Sequence, residues 1–315
     1  KMRNLLVFPG QGSQYIGMGK TFSENFIAAR DVFNEVDESL SQSLSKIMWD
    51  GDIEELTKTE NAQPAIMSVS IAIFRVLENE IGIDFSKIGY CAGHSLGEYS
   101  ALVATKSLEL ATAAKLLKLR GISMQKAVPI GQGAMAALIG SSIEEVEQLI
   151  KHINDQRADL VCNIANDNAP GQVVISGHIK AIDTAIELSA NFGAKKALKL
   201  PVSAPFHCSL MQPAADVMNE ALGESNIIDP ITPIIANVNA MPETQAKKIT
   251  ELLVRQVTGR VRWVETIKYA KKNGIEKVFE IGAGKVLTGL AKRIDSTMDS
   301  HSIEVPDQID SFILV

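Results

Sequence analysis

The chain has 315 residues, 46% of them hydrophobic and 22% charged, and a formal net charge of −6. That is the composition of a folded protein large enough for a main domain and a smaller one, with no excess of positive charge to suggest nucleic acid and no apolar run near the roughly 20 residues of a membrane span. Three cysteines, Cys91, Cys162 and Cys208, form no C-x-x-C pair and cannot all be bridged, which fits a reducing compartment; the cytoplasm is expected.

Lys1 ahead of Met2 reads as an added residue, and the apolar run over 5–8 is too short for a signal peptide, so 4–8 is read as a first strand. The loop Pro9-Gly10-Gln11-Gly12-Ser13-Gln14 follows, with two glycines that let backbone N–H groups turn toward a bound group. Gly17-Met18-Gly19-Lys20-Thr21 comes close to a phosphate-binding loop. The pattern G-x-x-x-x-G-K-[ST] needs glycine where Gln14 stands, so that reading is set aside. Short helices are predicted over 22–56, with Trp49 packed in one. A long helix over 65–80, started by Asn61-Ala62-Gln63-Pro64 and free of charge until Arg75, should be buried against a sheet.

The run over 88–92 is a short apolar strand, and Leu96, Tyr99, Leu102 and Val103 recur at helical spacing after it. Between them stands Gly93-His94-Ser95-Leu96-Gly97, a G-x-S-x-G. At a strand-to-helix turn this pattern makes a nucleophile elbow, with Ser95 on a strained corner and the free N–H of Leu96 facing any oxyanion formed there. A further helix over 108–126 carries Lys115, Lys118 and Arg120; by its placement alone, Arg120 reads as a solvated face residue.

From Ala134 onward the pattern is strand, helix, strand, strand, helix, strand, ending near Leu200, and Pro-containing linkers bound it on both sides. That order is the ferredoxin-like βαββαβ unit. The expected fold is therefore α/β: a hydrolase-like parallel-sheet core over 1–130 and 202–315, with a ferredoxin-like subdomain inserted over 131–201. Phe206-His207-Cys208 stands where the chain re-enters the core. A helix over 210–222, a strand over 233–238, helices over 246–257 and 262–273, a strand over 277–281 and a helix over 286–293 complete the prediction. Gly282-Ala283-Gly284-Lys285-Val286-Leu287 lacks the third glycine of a dinucleotide fingerprint, and that reading is set aside too.

A serine hydroxyl needs a base, and histidine is the usual one. His94 adjoins the serine but points differently around a tight turn; His152 and His178 read as surface groups, and His301 lies in a weakly patterned tail. His207 stands in a Pro-rich loop downstream of the serine as in hydrolase order; a loop histidine is more often structural or exposed than catalytic, and both readings stay open here. The acids between them, Asp155, Asp159, Asp167 and Asp183, all fall in the inserted unit, so a Ser-His dyad with the second ring nitrogen held by a backbone carbonyl is expected.

Together, Gly10-Gln11-Gly12-Ser13-Gln14, Gly93-His94-Ser95-Leu96-Gly97-Glu98, Arg120, Phe206-His207, Arg255-Gln256 and Val261-Arg262-Trp263 resemble the malonyl-CoA:acyl carrier protein transacylases, in that family's order, over residues 3–295. The resemblance implies that Ser95 takes malonyl as an ester and that His207 acts as base and then acid. It implies an oxyanion hole from the N–H groups of Gln11 and Leu96, a Gln256 carbonyl orienting His207, and Arg120 gripping the malonyl carboxylate. Gln63 would line the same pocket, and Phe206 resembles the form associated with malonyl rather than methylmalonyl. Ala283 departs from a frequent Gly-Pro-Gly, where only a local backbone effect is expected. No cofactor and no metal are implied, since phosphopantetheine belongs to the substrates. The partners implied are malonyl-CoA and an acidic, transiently bound acyl carrier protein, with no nucleic acid and no membrane; a monomer is expected. Lys195, Lys196 and Lys199, with Lys285, Lys292 and Arg293, are candidate carrier-facing clusters. The competing reading is a serine thioesterase or hydrolase using the same elbow.

Overall fold

The computed structural model describes residues 2–315, so the reading of Lys1 lies outside it. The chain begins β1 (Asn4–Phe8), α1 (Lys20–Asn25), α2 (Ile27–Leu40), α3 (Leu44–Asp50), α4 (Ile53–Thr57), α5 (Thr59–Glu80), β2 (Ile88–Gly93), α6 (Gly97–Ala104) and α7 (Leu110–Lys126). Next come β3 (Gly133–Ile139), α8 (Ile143–Gln156), β4 (Cys162–Ala169), β5 (Gln172–His178), α9 (Ile179–Leu188) and β6 (Lys196–Lys199). The last third holds α10 (Gln212–Gly223), β7 (Ile234–Ile235), β8 (Pro242–Glu243), α11 (Ala246–Thr258) and β9 (Val261–Arg262). It ends with α12 (Trp263–Lys272), β10 (Lys277–Ile281), α13 (Val286–Ile294) and β11 (Asp299–Ile303).

These elements make a mixed α/β fold with two sheets. The larger sheet has the order β11-β10-β1-β2-β7-β8 and is parallel except for β8. Every residue of β1 is buried, as a central parallel strand covered on both faces requires. α5 is part of the cover: from Asn61 to Phe74 each residue is out of solvent. The smaller sheet runs β6-β3-β5-β4 with antiparallel pairing, and β4 adds β9 in parallel from beyond residue 201. Period-two alternation divides β3 between two environments. Ala134, Ala136 and Leu138 pack with α8 and α9, while Met135 and Ala137 turn toward Phe206 and Leu200.

The structure moves three boundaries. α5 starts at Thr59 rather than after Pro64: the fixed φ of proline suits a helix, and its missing N–H forfeits one backbone bond in a helix held by burial. The strand expected over 233–238 shrinks to Ile234–Ile235, because the chain turns at Ala236, whose N–H bonds Met241 O and whose carbonyl accepts from Ala240 N. The tail around His301 is β11, an edge strand whose polar Asp-Ser-His-Ser run carries no apolar signal.

Candidate active site

β2 ends at Gly93 and α6 begins at Gly97, leaving Ser95 at the top of the turn with φ +55°. A Cβ on Gly93 would lie 1.9 Å from the Gly97 carbonyl, and one on Gly97 would lie 2.2 Å from Phe8 O. Both positions therefore exclude any side chain, and the turn can double back on itself against the end of β1. Ser95 is thereby placed beyond the carboxyl ends of two parallel strands, where open α/β sheets present ligands.

His207 arrives from the loop that leaves the smaller sheet, also in the left-handed region at φ +57°. Its Nε2 is 2.8 Å from Ser95 Oγ, and its Nδ1 is 2.9 Å from the backbone carbonyl of Gln256. A carbonyl only accepts, so Nδ1 carries the proton and the Nε2 lone pair faces the hydroxyl. Burial, followed by the neighbouring Arg120 charge, pushes the pKa of His207 down to about 3. The imidazole is neutral at neutral pH, as a base must be.

Arg120 is only 1% exposed, so the solvated-face expectation from its placement on a helix is corrected. The cause lies next to it. A Cβ on Gly121 would come within 2.6 Å of Glu60 Cα and 2.7 Å of Thr59 O, which shows how closely α7 crosses the first turn of α5. The guanidinium consequently points inward. Nη1 donates to Gln63 Oε1 at 2.6 Å, and Nη2 donates to Gln256 Oε1 at 2.6 Å and to Ser95 Oγ at 3.2 Å. Its hydrogen-bond partners are thus neutral, and among the described residues no carboxylate lies within ion-pair distance of it.

The polar chain continues from Gln63 Nε2 to Thr59 Oγ1 at 2.8 Å, and from that hydroxyl to Gln11 Oε1 at 2.8 Å. It fixes the glycine-rich loop after β1 beside the serine. Among the described residues the backbone N–H groups of Gln11 and Leu96 have no acceptor within the protein, which leaves both able to donate to a bound group. A cavity of about 240 Å³ is lined by Ser95, His207, Arg120, Gln63, Phe206 and Met135, among others. It adjoins an outer cleft of about 660 Å³ that shares Gln11, Thr57 and Phe206.

Of the other histidines, His94 lines the same cavity but its ring is engaged away from Ser95, and the rest stand elsewhere. His94 Nε2 bonds Asn168 Oδ1 at 2.8 Å with its ring against Trp263; His178 accepts from Val161 N, and His301 pairs with Asp299. Two residues at the site went unread in the sequence. Asn237 Oδ1 accepts from Ser95 N at 2.7 Å, its Nδ2 donates to Gly93 O at 2.7 Å, and its own N–H donates to Glu98 Oε1 at 2.5 Å. Glu98 stood in the motif without a role, and Asn237 lies in a stretch that reads as plain strand.

A model described as the acyl transferase domain matches residues 5–305. The chain belongs to the malonyl-CoA:acyl carrier protein transacylase family of acyltransferases. It is 44% identical over 305 residues to the malonyl CoA-acyl carrier protein transacylase of Bacillus subtilis strain 168, covering 96% of this chain and 94% of that one. The crystal structure of an acyl-carrier-protein-S-malonyltransferase from Bartonella henselae superposes with a TM-score of 0.95 at 51% identity, covering 98% of each chain. A malonyl-transacylase solved in complex with its type II PKS acyl-carrier protein superposes at 0.94 with 38% identity, again over 98% of each chain. The acyl transferase match covers every residue lining the cavity.

Proposed function

We propose that this acyltransferase moves the malonyl group from malonyl-CoA to the phosphopantetheine thiol of acyl carrier protein by a ping-pong route, supplying the extender unit for fatty acid synthesis. One observation carries the reading: a buried guanidinium with only neutral partners stands 3.2 Å from the serine hydroxyl. A carboxylate on the acyl group would complete it as a bidentate pair; an uncharged acyl chain would leave it unpaired.

In the first half-reaction Ser95 Oγ attacks the thioester carbon and its proton passes to His207 Nε2. The N–H groups of Gln11 and Leu96 hold the oxyanion. Collapse expels the CoA sulfur, which takes the proton from His207. In the second, the carrier thiol gives its proton to His207 and attacks the malonyl ester; collapse releases Ser95 Oγ, which takes that proton back from His207. The Gln256 carbonyl stabilises the imidazolium in place of an acid, Gln63 seats the arginine, and Phe206 limits the space beside the acyl group.

The turn at Ser95 is then a nucleophile elbow in a hydrolase-like core over 1–130 and 202–315. The βαββαβ segment over 131–201 is a ferredoxin-like subdomain, a reading favoured by the order β6-β3-β5-β4. The names of the relatives support the substrate, and the solved carrier complex supports the partner. No cofactor is needed, since the substrates bring the sulfur, and we place the enzyme in the cytoplasm as a monomer. Incubation with malonyl-CoA and holo-carrier tests the reading: malonyl-carrier forming in step with free CoA is expected, whereas free malonate alone would make the protein a thioesterase.

A further inference from the structure

We infer that Asn237, backed by Glu98, is a positioning residue that holds the reacting serine and the arginine-bearing side of the site in a single frame; this rests on the acyl-serine route proposed above. Asn237 is wholly buried, and each of its backbone and side-chain polar groups is engaged. Its Nδ2 donates to Gly93 O, which fixes which way the amide faces. The oxygen must then face Ser95, whose N–H it accepts at 2.7 Å, and it also accepts from Gln256 Nε2 at 3.3 Å.

That second bond orders Gln256 as well. With Nε2 committed to Asn237 and to Ser95 O at 2.9 Å, Gln256 Oε1 is left to accept from Arg120. The backbone carbonyl of the same Gln256 holds His207. One amide therefore binds the entering side of the serine turn, at Gly93 O and Ser95 N, and reaches both His207 and Arg120 through Gln256. The backbone of Asn237 is anchored in turn: its N–H donates to Glu98 Oε1 and its carbonyl accepts from Arg262 N at 2.9 Å.

Two consequences follow. The N–H of Ser95 is occupied, so it cannot serve an oxyanion, and stabilisation falls to donors such as Leu96 and Gln11. Ser95 is also kept in the left-handed region, at φ +55°, between Asn237 on its N–H and Gln256 Nε2 on its carbonyl. Glu98 accepts the Asn237 N–H and lies near Gln256 and Arg120 without contacting Ser95 or His207, which makes it a support and not a third member of a relay.

The test is single-turnover acylation with malonyl-CoA, quenched and read by intact mass, because amplitude and rate constant separate folding from positioning. A variant that merely folds poorly gives a smaller amplitude at the parental rate constant. Asn237→Ala is expected to acylate with a rate constant lower by about tenfold or more. Asn237→Asp, which keeps the volume and both acceptor contacts but cannot, when ionised, donate to Gly93 O, is expected to be slowed as well, and it decides the matter if the alanine variant does not fold. Glu98→Gln retains a carbonyl oxygen for the Asn237 N–H and is expected to acylate faster than Glu98→Ala. Parental rate constants in the Asn237 variants, at whatever amplitude, would overturn the inference. Absence of a malonyl ester on the parent would instead overturn the route on which it rests.

Discussion

At the scale of single residues, the site is governed by what burial does to two charges. His207 is neutral because removing it from water and setting it near Arg120 both oppose its protonation. Its folded pKa is therefore depressed below the value near 6.5 of a histidine in the unfolded chain. The unfolded state binds the extra proton as pH falls from about 6.5 toward 3, so the stability contributed by His207 is complete above 6.5 and is lost across that window. The same depression predicts that kcat/KM for malonyl-CoA shows no inflection near 6.5 and falls only at lower pH; a pH–rate profile with an inflection near 6.5 would contradict it. Arg120 is the second charge. Arg120→Lys keeps a cation but loses the planar fork, and it is expected to lower malonyl acylation by about 10- to 100-fold, narrowing the gap to acetyl-CoA. Competition between the two thioesters measures that gap. Ser95 is legible in sequence through its turn motif, whereas His207 gains its role only from the family resemblance. The burial of Arg120 is not legible there, since α7 has polar residues on several sides and only the crossing at Gly121 turns this one inward. Asn237 is less legible still: its partners lie 142 and 139 positions away.

Among elements, the turn between β2 and α6 is the tightest junction, and there local sequence and tertiary structure agree. At both of the glycines that mark it in sequence an added Cβ would collide with backbone. Gly93→Ala is accordingly expected to destabilise the protein by about 3 kcal/mol or more, since backbone and not a flexible side chain must move. Chemical denaturation checks this, and a loss below about 1 kcal/mol would mean that the turn can relax. Agreement weakens where an element owes its existence to neighbours. α5 tolerates Pro64 because its length is buried, β7 keeps only two residues because the chain must bend back to place Asn237, and β11 forms on polar residues by pairing with β10. No window of sequence contains those causes.

Across the whole molecule, the two sheets meet at the site: the larger supplies Ser95, and the loop leaving the smaller supplies His207. β4 joins β9 directly, so the smaller sheet is tied by backbone bonds to the segment that follows Gln256. Of the candidate carrier-facing residues, Lys195 and Arg293 lie on neighbouring segments. Lys195 lies against Gly140 and Arg293 against Gly171, and those glycines are bonded to each other through Gly140 N and Gly171 O at 2.9 Å. Replacing Lys285 and Arg293 by glutamate is expected to raise the KM for the acidic carrier while leaving acylation by malonyl-CoA as it was. An unchanged KM for the carrier would remove both from the docking surface.

The central claim is that Ser95 carries malonyl and Arg120 selects it. Brief mixing with malonyl-CoA followed by intact-mass measurement tests this directly, on the parent, Ser95→Ala and Arg120→Ala in parallel. The account predicts a malonyl-sized adduct on the parent, none on the serine variant and much less on the arginine variant. A folded parent that gains no mass and turns over no substrate, or an adduct that survives in Ser95→Ala, would contradict it.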